Sequence, residues 1–153
     1  MTASKDSEFR KYFRSHGKVL GETAQGIMLN TQRPIHAFKA LRPNRWNKYT
    51  RDAYEDNNII IANLIVPTNT KVFMSTGRYD APTKSRAEQA YIHSLVNLKT
   101  GEEVLKASSD WDPNFRYFSG GIARVKDYNP SYYLSGGGIY LFLDLEEAKN
   151  YLR

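Results

Sequence analysis

The chain has 153 residues, a length that suits one domain, and its 41% hydrophobic and 13% aromatic content, with 10 Gly and 6 Pro, excludes the disordered and collagen-like classes. With no cysteine it can form no disulfide, thiolate metal site or cysteine nucleophile, so stability must come from packing, and a reducing compartment fits. Net charge is +6, yet eleven of the 22 basic residues and only three of the 16 acids (Asp6, Glu8, Glu22) fall within the first 51 positions, a local +8 against −2 for the remainder. Such a field attracts phosphate in nucleic acid, nucleotides or anionic lipid, or else simply keeps one face solvated.

In chain order, Asp6 or Ser7 caps a short helix through about His16, with Phe9, Tyr12 and Phe13 on one side. Gly17 and Gly21 then release the chain into a loop. The alternating stretch Ile35 to Leu41, closed by Pro34 and Pro43, suits a strand. From Pro43 to Asn58 the sequence is polar around Trp46, Tyr49 and Tyr54, and reads as a short helix beginning at Pro43 or as an ordered loop.

The run IIIANLIVP at 59–67 is expected to be a central strand covered on both faces. Lys71 to Met74 forms a further short strand, and STGRYDAPTK carries turn residues. Two strand-like runs, Ala90 to Leu98 and Glu103 to Ala107, flank LKTGEE and predict a hairpin with Gly101 at positive φ. Short strands follow at 115–118 and 122–125 around Gly120 and Gly121, then a loop, DYNPSYYLSGGG. The chain closes with a buried strand, GIYLFL, and a helix, DLEEAKNYL, whose cap is Asp144 with Glu147 three residues later. The expected fold is one α+β domain over residues 5–153, a mainly antiparallel sheet with a short N-terminal helix and a C-terminal helix packed on it.

The longest apolar run, Ile59 to Val66, falls far short of the roughly 20 residues that cross a bilayer. The charged N-terminus lacks a signal-peptide core, so no membrane contact and a cytoplasmic location are the expectation.

The most informative cluster is LRPNRWNKYTRDAY, where Arg42, Arg45, Lys48 and Arg51 recur every third residue around Trp46 and Tyr49. On a helix these cations form a basic stripe; guanidinium groups grip phosphate and rings stack on bases. The bland reading is an exposed helix with docked aromatics. Tyr132 and Tyr133, with Tyr128, suit either an aromatic rim that closes a pocket or a packed surface loop. His16, His36 and His93 stand in no metal-ligand pair, and His36 and His93 read as structural strand residues. The order His36, Ser75 or Thr76, then Glu102 or Glu103 is similar to that of ADP-ribosyltransferases, whose carboxylate stabilises charge developing on the ribose. The glycine runs at 120–121 and 136–138 match no phosphate-binding pattern and read as turns.

FKAL at 38–41, NLIVP at 63–67, KSRAEQAYIHSL at 84–95, FRYFSGG at 115–121 and GGGIYLFLDLEEAKNYL at 136–152 resemble an uncharacterised domain of large DNA viruses and phages, sometimes appended to pentapeptide-repeat proteins. The resemblance implies a viral or phage origin and no established activity. In the family pattern a cysteine often precedes the Arg-Ala pair and another precedes the Gly-Ile-His of the last strand. Ser85, the Ser-Gly-Gly-Gly run and Tyr140 stand there in this chain, so no thiol or metal role carries over.

The expectation is therefore a non-enzymatic binder of a phosphate-bearing ligand, a nucleotide or nucleic acid, through Arg42, Arg45, Trp46, Lys48, Tyr49, Arg51, Tyr132 and Tyr133. It needs no cofactor or metal and could sequester a host nucleotide signal, as a homo-oligomer or alone. The alternatives are an ADP-ribosyl-transferring enzyme and a protein-interaction module presenting exposed rings.

Overall fold

Apolar residues that alternate, as in IHAFKAL, or run together, as in IIIANLIVP, dictate strands whose inner sides must meet. The computed structural model describes residues 2–43, 59–75, 83–109, 115–125 and 138–151. Helix α1 (Thr2–Ser15) is followed by β1 (Gly17–Thr23), β2 (Gly26–Thr31), β3 (Ile35–Pro43), β4 (Ile60–Val66), β5 (Lys71–Ser75), β6 (Lys84–Ala87) and β7 (Gln89–Asn97). Then come β8 (Lys106–Ser108), β9 (Arg116–Phe118), β10 (Ile122–Arg124), β11 (Ile139–Phe142) and helix α2 (Leu145–Tyr151). The strands form one sheet in the order β1-β2-β5-β6-β11-β3-β4-β7-β10, with β8 bridging β3 and β9. Every strand pair described is antiparallel, in line with the expected α+β class with a helix at each end.

One face of the sheet gathers the main core. Ile60, Ala62, Leu64 and Val66 of β4 join Ile35, Ala37 and Leu41 of β3, Leu29 of β2, Met74 of β5 and Leu141 of β11, with Phe13 of α1 closing against them. The opposite face of β3 and β4 is also covered, because Ala40, Ile59 and Ile61 meet Leu98 and Leu145, and Phe142 meets Ala148 of α2. Residues 59–62 of IIIANLIVP are thus buried on both sides, as expected, while Asn63 and Ile65 further along are half-buried. Along β7 the core residues are Ala90, Ile92 and Leu95, a change of parity produced by an irregularity where Asn63 pairs Ser94 but Leu64 pairs Ile92.

Three expectations change, at the start of α1, after Gly17 and around Gly101, and one strand, β6, was not expected. The helix begins at Thr2 rather than near Asp6, upstream of any apolar periodicity. The expected loop after Gly17 is the β1–β2 hairpin, in which Thr23 pairs Gly26 across a two-residue turn. Its outer strand, GKVLGET, is exposed on both faces and so carries no alternating signal. Gly26 is required there, since a Cβ would collide with the Met74 carbonyl oxygen and the Phe73 ring. Strand β6 was hidden because KSRA buries a serine and an arginine instead of aliphatic residues.

The expected hairpin around Gly101 forms only at its turn. Gly101 has φ of 76°, and the Glu103–Val96 bridge and the Val104 N–H to Leu95 carbonyl bond start the ladder. The chain then departs with Leu105 82% exposed, and β8 pairs the end of β3 and β9, burying Ala107 and Ser108. Strands β9 and β10 flank the Gly120 turn as expected, each pairing a different neighbour.

At the C-terminal end Asp144 caps α2 by accepting from the Glu146 N–H at 3.4 Å. Glu147 accepts instead from Thr83, from its N–H at 3.0 Å and its hydroxyl at 2.9 Å, while the same hydroxyl accepts from the Asp144 N–H at 3.1 Å. Thr83, one residue before β6, therefore ties α2 to the sheet. Among the described residues no helix is long and apolar enough to cross a membrane.

Candidate functional site

Strands β5, β6 and β11 turn Val72, Met74, Ala87, Ile139 and Leu141 toward the main core. Alternation then sends Phe73, Ser75, Lys84, Arg86, Tyr140 and Phe142 to the other face, beside α2. Register aligns them, since Arg86 sits between Phe73 and Tyr140, and Lys84 lies opposite Phe142. Continued by one residue, the β5–β6 register brings Ser75 opposite Lys84.

The Lys84 ammonium lies 5.2 Å from the centre of the Tyr140 ring and 5.1 Å from that of Tyr151, and donates to the Tyr151 hydroxyl at 3.4 Å. Its charge thus lies against the Tyr140 ring and the hydroxyl edge of Tyr151, and no carboxylate among the described residues neutralises it. Arg86, only 1% exposed, has its guanidinium 4.9 Å from the centre of the Phe73 ring. The Ser75 hydroxyl, on a residue 6% exposed, has no hydrogen-bond partner among the described residues. A buried hydroxyl without a partner costs about 1–3 kcal/mol, which a bound polar group would relieve. Two cations, an open hydroxyl and tyrosine rings suit a phosphate carried on a flat ring system.

Of the residues expected to bind, Arg42, next to last in β3, lies opposite Ser108 and is 5% exposed, so it is packed against β8. It lies four residues and two strands from the Lys84 row, about 16 Å by sheet spacing. Arg45, Trp46, Lys48, Tyr49, Arg51, Tyr132 and Tyr133 lie outside the described residues. Lys84, Tyr140, Tyr151 and Ser75 form a cluster that the basic-stripe argument passed over. Its signal in the sequence is a pair of cations at alternate positions in KSRA, but only strand pairing reveals the rings beside them.

The residues of the ADP-ribosyl reading do not converge. Glu103 meets the sheet at Val96, in the row of Ile61 and Ala40, whereas His36 lies four residues away on β3 and three strands across, about 20 Å by sheet spacing. Thr76 lies outside the described residues. His36 and His93 occupy β3 and β7, as expected, and no group of three or more His, Asp or Glu side chains gathers for a metal among the described residues.

No curated protein and no solved structure matches the chain. A family model does, over residues 26–148, which takes in every strand from β2 to β11 and the first half of α2. The chain belongs to the family of unknown function DUF5758.

Proposed function

We propose that this domain binds a phosphate-bearing ligand with a flat ring system, a nucleotide or a short single strand, and does not turn it over. The observation that carries the reading is the Lys84 ammonium, held between Tyr140 and Tyr151 without a carboxylate and opposite the unpartnered Ser75 hydroxyl. Phosphate takes the ammonium and the hydroxyl, and a ring of the ligand stacks on Tyr151, with buried Arg86 two residues along β6 on the same side of the strand. Arg45, Trp46, Lys48, Tyr49, Arg51, Tyr132 and Tyr133 belong to the same proposal as further phosphate and base contacts. The resemblance to a domain of large DNA viruses and phages supports a role in sequestering a host nucleotide signal.

Isothermal titration against ADP-ribose, cyclic dinucleotides and short oligonucleotides tests the reading. Binding to at least one of them that weakens as salt is raised is expected, and silence from all three at low salt removes the proposal.

A further inference from the structure

Where α1 meets the start of β3, a cleft of about 330 Å³ is lined by Glu8, Phe9, Tyr12, His36, Phe38 and Leu143. Its rings touch one another and the backbone around them. The Tyr12 hydroxyl accepts from the His36 backbone N–H at 3.4 Å, and the Tyr12 ring centre lies 4.0 Å from that of His16. The His36 and Phe38 rings are tilted at 43° with centres 4.9 Å apart, and Phe9 packs against the core. Glu8 is the one acid of this lining, and its carboxylate has no hydrogen bond or ion pair with any described residue.

The chemistry of this lining selects its occupant. An anion would meet the Glu8 carboxylate, so the cleft does not suit the phosphate proposed for the Lys84 face. A neutral apolar molecule would strip water from that carboxylate and give it no counter-charge. A metal ion needs several oxygen or nitrogen donors, and a lone carboxylate among rings supplies too few. An organic cation answers both features, because ring faces attract a soft cation and the carboxylate neutralises it. We infer that this cleft binds an alkylammonium group, either of a free amine or of a methylated lysine side chain. The volume lies at the small end of ligand pockets and suits one such head group with its stem. This inference stands on α1 and β3 and is independent of the Lys84 reading.

NMR titration of the full chain tests it with three probes: choline, its neutral carbon isostere 3,3-dimethylbutan-1-ol, and a short peptide carrying one trimethylated lysine. Choline or the peptide is expected to shift Tyr12 and His36 resonances, while Glu8→Gln, a change at an exposed helix position, weakens binding about fivefold or more. Comparable choline and peptide affinities assign a free amine, binding of the peptide alone assigns a protein-borne lysine, and both uphold the site. The inference is overturned if the isostere binds as well as choline, if Glu8→Gln leaves affinity unchanged, or if neither cation shifts a resonance by about 10 mM.

Discussion

The two faces of the β5–β6–β11 region use the same backbone for different ends. One turns Val72, Met74, Ala87, Ile139 and Leu141 into the main core, and the other carries Phe73, Arg86, Tyr140, Lys84 and Ser75. The first face is stabilised by removing apolar surface from water, at about 25 cal/mol per Å². The second keeps two cations beside rings and leaves a hydroxyl without a partner, so it stabilises the fold less than the apolar face does. The difference teaches that strand alternation separates an apolar row from a polar and aromatic one within strands of four or five residues.

The comparison breaks first at the core. Leu64→Ala, at a fully buried β4 position, is expected to cost about 2–5 kcal/mol in urea unfolding, and a loss below about 1 would mean that this face is not the main core. On the other face Arg86→Ala is expected to cost about 2 kcal/mol, since it deletes a buried stem and its cation–π contact, and Arg86→Lys recovers only part of that because the planar fork is lost. A neutral outcome for Arg86→Ala would make that face an ordinary second core.

Alkali gives a third test. Burial pushes the Tyr117 phenol far above the ordinary tyrosine range, so the folded chain keeps a proton that the unfolded chain releases. That contribution is intact below about pH 10 and is lost above it, by about 1.4 kcal/mol per pH unit, and Tyr117→Phe should flatten the decline measured by urea unfolding at stepped pH. A smaller effect is expected at the α2 tether. Thr83→Val leaves Glu147 and the Asp144 N–H without the shared hydroxyl and should lower stability by about 1–2 kcal/mol, read from the urea midpoint.

These contrasts also explain what the sequence made legible. IIIANLIVP and GIYLFL announce themselves because burial on both faces, or beside a helix cap, demands continuous apolar residues. KSRA and GKVLGET did not, since one buries polar side chains and the other is an edge strand with no buried face. The Lys84 cluster escaped for a related reason. Tyr140 and Tyr151 lie 56 and 67 residues away in sequence and reach Lys84 only through β11 pairing and the docking of α2. Local spacing did expose the basic stripe, but Arg42, its described member, is turned into the packing against β8.

The smallest expected change in stability belongs to the residue with the largest expected change in binding. Lys84→Met should shift the urea midpoint by less than about 1 kcal/mol, since a half-exposed cation over rings contributes little to folding. Calorimetric titration of the wild-type and Lys84→Met proteins with the tightest of the nucleotide probes, at low and moderate salt, addresses the central claim most directly. A drop in affinity of about tenfold with a shallower salt dependence is the expected result, and equal affinity with an unchanged salt slope would contradict an anion site on this face.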